Sequence, residues 1–287
     1  MIVLIDGDWI LYAAGFSGQR TEMVCPSLFG TEKFRNITEI RERADDKTLS
    51  PTLCYSRSAL DPKEHFYHSA KSMIENNCQK VAERFNTKVR PRVIIDGDGN
   101  FRSRLATVRP YKGQRGVHAK PLMFNAIRSY LLDVWNAEVV YDQETDDELA
   151  ILQTEYTSAQ KASIIVGIDK DMLQVPGWHL NPNKGFKKVS RREAMERLYV
   201  QAIQGDSVDN IAGAFKYGPT AARKAITSDM TEQDCWSKAI ECYQDSIDRF
   251  DNKYGGLTAE EAALENMRLV YLRRERNEMW VPNNGWS

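Results

Sequence analysis

The feature that most constrains this 287-residue chain is a series of short apolar runs separated by helical patterns. Runs rich in Val and Ile are predicted to be buried strands: Ile2 to Ile5, Val93 to Ile95, Val139 to Tyr141 and Ile164 to Val166. Between them, Met123 to Val134 and Asp146 to Ala159 have the spacing of helices. Strands that alternate with helices form a largely parallel sheet, so we predict an α/β fold.

Acidic residues follow each of these predicted strands. Asp6 and Asp96 end the first two, Asp169 comes shortly after the last, and the third leads into Glu144. In open parallel sheets, ligands bind at the carboxyl ends of the strands. We therefore expect these acidic side chains, which are far apart in the sequence, to lie close together.

The acidic residues at these places occur in closely spaced sets: Asp6 with Asp8, Asp96 with Asp98, Glu144 with Asp146 and Asp147, Asp169 with Asp171, and Asp206 with Asp209. Any single pair is as compatible with a solvated loop or a helix cap. Several carboxylates brought together repel one another, and a divalent cation is the natural compensator. Oxygen ligands favour Mg²⁺ or Mn²⁺ over zinc. We expect Asp8 and Asp98 to support or cap rather than to bind metal directly.

The charges are balanced in total but unevenly distributed. The chain has 39 basic and 40 acidic residues, and the acidic sets account for eleven of the 40. The stretch from Gly99 to Leu132 has basic residues and no acidic ones: Arg102, Arg104, Arg109, Lys112, Arg115, Lys120 and Arg128. Cations beside an aromatic residue such as Tyr111 suit contact with phosphates and bases, although an ordinary basic loop is the alternative.

The C-terminal third is predicted to be helical. Two capping boxes, Ser190 with Glu193 and Thr258 with Glu261, mark helix starts. Before a helix that starts at Pro219 or Thr220, Gly218 would leave free amides that attract phosphate. A plain helix-turn-helix in the core is the alternative. By contrast, the polar stretch from Ser17 to Pro62 is expected to be an irregular insertion.

The cysteines and the apolar runs bear on cellular location. The five cysteines contain no CxxC pair, which favours reduced thiols over a disulfide framework or a zinc site. We find neither a basic leader nor an apolar run long enough to span a membrane, so we expect a cytoplasmic protein.

Six motifs, in their order along the chain, resemble those of the flap endonuclease and 5′-exonuclease family, which includes phage-encoded 5′-exonucleases. They are IDGD at 5–8, DGDGNFR at 96–102, YKGQR at 111–115, ETDDELA at 144–150, GIDKDMLQV at 167–175 and GDSVDNIAG at 205–213. The resemblance implies a PIN-like (resolvase-like) α/β fold over residues 1–200, with a mostly parallel sheet flanked by helices and a helical arch around 100–120. It also implies a helix-three-turn-helix region for duplex DNA within 201–287.

The same resemblance implies roles for individual residues. The first of two Mg²⁺ or Mn²⁺ ions would be bound by Asp6, Asp96, Glu144 and Asp146, and the second by Asp169, Asp171, Asp206 and Asp209, with Asp147 close by. Lys112 and Arg115 would hold the scissile phosphate as catalytic residues. Substrate would be bound by Arg102, Arg109, Tyr111, Lys216, Gly218 and Thr220. A K⁺ ion is expected at the helical hairpin, where Ala212 and Lys216 depart from the usual family pattern.

The resemblance finally implies a divalent-metal-dependent 5′–3′ exonuclease on double-stranded DNA, with flap endonuclease and RNA-primer-removing activity. The expected partners are duplex DNA with a 5′ end or flap, RNA:DNA hybrid and replication proteins, in phage DNA replication or host DNA degradation, with no membrane partner. A PIN-type ribonuclease is the alternative enzyme, and a non-catalytic DNA-binding protein is the alternative from another class.

Overall fold

The protein is described here from a computed structural model that covers residues 1–114, 120–250 and 253–282. The strands are, in chain order, β1 (Ile2–Asp6), β2 (Gln19–Val24), β3 (Lys33–Phe34), β4 (Tyr55–Leu60), β5 (Arg90–Asp96), β6 (Glu138–Val140), β7 (Ser163–Val166), β8 (Gly177–Asn181) and β9 (Gly185–Val189). The helices are α1 (Gly7–Ser17), α2 (Pro26–Phe29), α3 (Ile37–Ala44), α4 (Lys63–Phe85), α5 (Arg102–Leu105), α6 (Phe124–Trp135), α7 (Thr145–Ser158), α8 (Arg191–Gln204), α9 (Pro219–Ala225), α10 (Glu232–Phe250) and α11 (Ala259–Val270).

The described residues divide into two compact units. The first lies within Met1–Trp9, Ile74–His118 and Trp135–Ser287, and the second within Ile10–Met73 and Ala119–Val134. The helices α8 to α11 belong to the same unit as the central sheet, and the boundary after residue 200 stays a prediction.

The first unit is built on a six-stranded sheet in the order β6-β5-β1-β7-β8-β9. Every neighbouring pair is parallel except β8 with β9, so the predicted, largely parallel α/β sheet is confirmed. The four predicted strands match β1, β5, β6 and β7. Because these four strands are mutually parallel, their carboxyl ends lie along one edge of the sheet.

The central strands have apolar, buried middles: Val3 to Ile5, Val93 to Ile95 and Ile164 to Val166. Leu4, Ile94 and Ile165 pack in one cluster with Leu149 and Leu152 of α7, and all five are buried. This explains why the strands appear in the sequence as uninterrupted apolar runs rather than as alternating patterns. The strands β8 and β9 were not predicted, since GWHLN and GFKKV contain few consecutive apolar residues.

The helices of the C-terminal third pack around a second core in the same unit. Tyr199, Trp236, Tyr243 and Trp280 are buried in it, together with apolar side chains of α8, α10 and α11. The predicted capping boxes are both present, at the start of α8 and at the start of α11. In the described part of the chain, no helix is both long and apolar enough to cross a bilayer.

The second unit contains a three-stranded antiparallel sheet in the order β3-β2-β4. It lies within the stretch from Ser17 to Pro62, so the prediction of an irregular insertion is wrong. The sequence did not indicate this sheet, because β4 is exposed on both faces and its apolar residues do not alternate with polar ones. A small core beside this sheet contains Cys25, Phe34, Ile40 and Leu49.

Only part of the arch predicted around residues 100–120 lies within the described residues. Its described portion consists of the single-turn helix α5 and a loop that runs to Gln114. Arg115, a predicted catalytic residue, lies outside the described residues.

Candidate active site

Carboxylates from distant parts of the chain line one open cavity at the carboxyl edge of the central sheet. Eight of the nine residues predicted to bind metal are among its lining residues: Asp6, Asp96, Glu144, Asp146, Asp169, Asp171, Asp206 and Asp209. Asp8 lines the same cavity. The expected convergence of these side chains is therefore observed, with Asp147 as the exception.

Each segment reaches the cavity because a strand or helix ends there. Asp6 and Asp96 are the last residues of β1 and β5, whereas Glu144 is the N-cap of α7. Asp169 follows β7, and a 3-10 turn places Asp171 two residues later. The site is thus assembled from the sheet edge and the adjoining helix ends, where backbone amides also favour negative charge.

Asp6 is fixed by the first turn of α1. One carboxylate oxygen, Oδ1, accepts the backbone N–H groups of Asp8 at 3.0 Å and of Trp9 at 3.2 Å. The side chain is 8% exposed, so only a small part of the carboxylate faces the cavity. The backbone therefore sets the direction of this carboxylate.

Thr145 connects two acidic residues and was not predicted as a site residue. Its N–H donates to Oδ1 of Asp96 at 2.6 Å, and its hydroxyl lies 2.8 Å from the same oxygen. The hydroxyl also lies 2.6 Å from Oδ2 of Asp8, which accepts the backbone N–H of Asp96 at 2.9 Å. Asp8 thus holds the Asp96 backbone and Thr145, while it also lines the cavity; its supporting role stays a prediction. The signal for Thr145 was its place between Glu144 and Asp146.

A tight loop after α8 presents the last two acidic residues. Asp206 and Ile211 exchange backbone hydrogen bonds of 3.0 and 2.7 Å, and Oδ1 of Asp206 accepts the N–H groups of Val208 and Asp209. Gly205 has a φ of 71°, and a Cβ there would lie 2.5 Å from the carbonyl oxygen of Ile211. Glycine is therefore needed at this position for the loop to close.

Tyr111 and Lys112 are in contact with the acidic cluster. The Tyr111 hydroxyl lies 3.0 Å from Oε2 of Glu144 and 3.0 Å from Oδ2 of Asp209, so it bridges carboxylates assigned to different ions. Lys112 forms an ion pair with Glu144 through its side chain, and its N–H donates to the carbonyl oxygen of Asp209 at 2.8 Å. Both residues line the cavity, as a site for substrate requires.

Arg102 and Asp147 form a buried pair, which does not suit their predicted roles. The guanidinium donates to both Asp147 oxygens, at 2.6 and 2.8 Å, and to the carbonyl oxygens of Leu269 and Tyr271. Arg102 is 1% exposed and Asp147 is fully buried. Burial opposes the charge on Arg102, but the Asp147 carboxylate raises the pKa of the guanidinium overall. Arg102 lines the cavity, whereas Asp147 does not. We therefore reassign Arg102 from substrate contact, and Asp147 from metal binding, to a buried ion pair that supports the cavity wall.

The remaining predicted substrate residues lie on the surface. Arg109, Lys216, Gly218 and Thr220 are exposed, and Gly218 is the N-cap of α9. Their side chains and amides are thus accessible to a ligand.

The pKa values of several carboxyl groups are raised because they are buried near one another. Burial, and then repulsion from Asp8, raises the pKa of Asp6 to about 7. Burial and Asp96 raise that of Asp8 to about 6, and burial and Asp169 raise that of Asp171 to about 6. The pKa of Asp146 is raised well above 3.8 by burial, Asp6 and Asp169. Such a cluster is stabilised by cations that neutralise it.

The donor set suits hard divalent cations, because every candidate ligand is a carboxylate oxygen. Among the described side chains, no three acidic, His or Cys residues are already arranged to hold one ion. Two of the candidate ligands have protein partners: Glu144 is paired with Lys112, and Asp96 is hydrogen-bonded to Thr145. A divalent cation that keeps several of its own water ligands would need fewer carboxylates in direct contact.

Comparison with known proteins identifies the family and supports the fold. No family model matches the chain. The flap endonuclease Xni of Shewanella piezotolerans is 30% identical over 177 residues, which cover 57% of this chain and 68% of that protein. The flap endonuclease Xni of Shewanella woodyi is 23% identical over 181 residues, which cover 58% of this chain and 71% of that protein.

Solved structures of bacteriophage T5 proteins share the fold. A T5 protein crystallised with metal ions has a TM-score of 0.55 at 15% identity, and the match covers 94% of this chain and 88% of that one. A complex of the T5 flap endonuclease with DNA and metal ions has a TM-score of 0.52 at 14% identity, with the same coverage of both chains. Given the extent of the match to the Shewanella piezotolerans protein, this chain belongs to the flap endonuclease family and is a nuclease.

Proposed function

We propose that this chain is a divalent-metal-dependent nuclease that degrades double-stranded DNA from 5′ ends and cleaves 5′ flaps. The proposal rests mainly on one observation: nine acidic residues from separate segments line a single cavity, and Lys112 lines it as well. The raised pKa values of Asp6, Asp8 and Asp171 support the need for cations in this cavity.

The acidic residues would serve two ions of Mg²⁺ or Mn²⁺. Asp6, Asp96, Glu144 and Asp146 would hold one, and Asp169, Asp171, Asp206 and Asp209 the other. When bound, such ions lower the pKa of water and neutralise charge on a phosphodiester. Thr145 keeps Asp96 in place, and the start of α1 orients Asp6.

Lys112 would bind the scissile phosphate. Lys112 lines the cavity, where its ammonium forms an ion pair with Glu144. A phosphate oxygen could take the place of the Glu144 oxygen and accept a hydrogen bond from the ammonium. Charge placed on the phosphoryl oxygens stabilises the transition state. Water attacks phosphorus and the bond to the 3′ oxygen breaks. That oxygen takes up a proton, which leaves a 5′-phosphate and a 3′-hydroxyl.

Surface residues outside the cavity would bind the rest of the DNA. Arg109 and Lys216 are exposed cations, and Gly218 and Thr220 lie at the start of α9, where amides attract phosphate. The T5 flap endonuclease of the same fold was solved with DNA, which supports DNA as the substrate here. We extend the proposal to RNA:DNA hybrid as a second substrate and to a K⁺ ion at the hairpin before α9.

The test is cleavage of 5′- and 3′-labelled DNA duplex, 5′ flap, RNA:DNA hybrid and single-stranded RNA, with Mg²⁺ or with EDTA. We expect Mg²⁺-dependent products from the 5′ end of duplexes and at the flap junction. Cleavage of single-stranded RNA alone would favour the PIN-type ribonuclease, and binding without cleavage would favour a non-catalytic DNA-binding protein.

Two variants connect the activity to this cavity. Asp169→Asn and Lys112→Ala should each lower the cleavage rate by at least about 100-fold, because they remove transition-state interactions. Lys161→Ala removes an exposed lysine that does not line the cavity and serves as the matched control. Near-normal cleavage by both site variants would refute the assignment of the active site.

A further inference from the structure

Two cysteines face each other at the end of the small antiparallel sheet. In the register of β2 with β4, Val24 is the partner of Tyr55. Cys25 and Cys54 are the next residues beyond this last pair, just outside the two strands. Directly opposed residues of an antiparallel pair have Cβ atoms about 4.5–5.5 Å apart, close to the roughly 3.5–4.5 Å that a disulfide requires. Because Cys25 and Cys54 directly follow the last pair of this register, we expect their Cβ atoms to lie near this range.

The two cysteines pack in one small cluster. Cys25 is fully buried with Phe34 and Ile40, and its Sγ lies 3.5 Å from the carbonyl oxygen of Leu53. Cys54 packs against this cluster and is only partly buried. Burial, and next a hydrogen bond with the Cys25 thiol, raises the pKa of Cys54. The same cluster of side chains thus surrounds both cysteines.

We propose that Cys25 and Cys54 are a modification site that forms a reversible intramolecular disulfide when the protein meets a small-molecule disulfide. The remaining cysteines do not offer a comparable pair. Cys235 and Cys242 are buried on the same helix, seven residues and therefore about 10 Å of helical rise apart. Cys78 lies on α4.

The reaction balances as two successive thiol–disulfide exchanges. The partly exposed Cys54 loses its proton, and its thiolate attacks one sulfur of the small-molecule disulfide. A mixed disulfide forms and one thiolate leaves, which takes up a proton. The thiolate of Cys25 then attacks Sγ of Cys54 and expels the second thiol. Both protein thiols are oxidised, and the reagent disulfide is reduced to two thiols.

The pH dependence of this exchange follows from its nucleophile. A thiolate is the attacking species, and the raised pKa of Cys54 keeps its fraction small near neutral pH. The exchange should therefore be slow at pH 7 and faster at pH 8.5. Once formed, the bond closes the segment between Cys25 and Cys54 into a loop that includes β3 and α3.

The test uses the whole reduced protein with oxidised glutathione, followed by trypsin digestion without reductant and mass spectrometry. Trypsin separates Cys25 and Cys54 into the peptides 21–33 and 48–57. We expect these two peptides joined, with a mass lower by two hydrogen atoms than their sum, and separated again by dithiothreitol. The joined product should form several-fold faster at pH 8.5 than at pH 7.

Matched variants make the outcome decisive. Cys25→Ser and Cys54→Ser should each abolish the joined peptide, whereas Cys78→Ser should form it at the unchanged rate. The proposal is overturned if both peptides retain free thiols, if only stable glutathione adducts appear, or if the bond links two protein molecules. None of these experiments measures nuclease activity, so a negative result for the disulfide leaves the proposed function unaffected.

Discussion

Replacement of Thr145 by Val tests how the acidic cluster is held. Valine has nearly the same shape and keeps the backbone N–H that donates to Asp96, but it removes the hydroxyl that lies 2.8 Å from Asp96 and 2.6 Å from Asp8. A hydrogen bond to a charged group contributes about 1.5–3 kcal/mol, which corresponds to roughly 10- to 100-fold in binding. A loss of that size is also typical when a partner of a metal-binding side chain is removed.

The assay is a Mg²⁺ titration of duplex cleavage, together with direct Mn²⁺ binding followed by electron paramagnetic resonance. We expect Thr145→Val to need roughly 10- to 100-fold more metal in both measurements, with a smaller effect on the rate at saturating metal. Binding of Mn²⁺ is measured without turnover, so it separates metal affinity from catalysis.

Two controls make the result specific. Thr145→Ser keeps a hydroxyl and should remain within a few-fold of the unchanged protein. Thr154→Val removes a hydroxyl from the same helix that donates only to the carbonyl oxygen of Ala150, and it should leave metal binding unchanged. The reasoning fails if the Val variant binds Mn²⁺ normally, or if the Ser variant is as defective as the Val variant.

Three further predictions follow from other contacts. Because the pKa values of Asp6 and Asp8 are raised, the folded protein binds more protons than the unfolded chain between about pH 4 and 7. The melting temperature in EDTA should therefore fall as pH rises through this range, and Mg²⁺ should raise it most at pH 7.5. Equal melting temperatures in EDTA at pH 5 and 7.5 would argue against this prediction. Arg102→Ala leaves Asp147 buried and unpaired, and urea unfolding should show a loss of about 3–5 kcal/mol; a loss below about 1 kcal/mol would contradict the buried pair. Gly205→Ala should disrupt the loop and lower cleavage, because its Cβ would clash with the Ile211 carbonyl oxygen. Gly185 has a similar φ but open space around it, so Gly185→Ala should cost only the local strain of about 1–2 kcal/mol. Equal activity of the two variants would refute the clash at Gly205.

Sequence reasoning succeeded where one local pattern determines one structural outcome. The apolar run before Asp6 and the one before Asp96 had to be buried strands, and parallel strands place their carboxyl ends along a shared edge. That rule alone brought acidic residues from distant segments into one cavity. The capping box at Ser190 likewise specified the start of α8, because both hydrogen bonds of the box are local in sequence.

Sequence reasoning failed where the partner of a residue is remote. Arg102 belongs to an acid-free basic stretch, and nothing nearby indicates that Asp147, 45 positions later, will bury and neutralise it. Asp147 is indistinguishable by pattern from Asp146, although only Asp146 lines the cavity. The sheet of β2, β3 and β4 was missed for a related reason, since backbone pairing joins exposed strands that have no apolar pattern.

The hydrogen bonds from Arg102 to residues 269 and 271 make the active site depend on a C-terminal segment of the chain. The Arg102 guanidinium is anchored on the carbonyl oxygens of Leu269 and Tyr271, and residues 269, 270 and 272 also line the cavity. A nascent or proteolysed polypeptide without that C-terminal segment would have most of its acidic residues but an incomplete wall. We therefore expect a chain that ends before Leu269 to have an incomplete active site and to cleave DNA poorly.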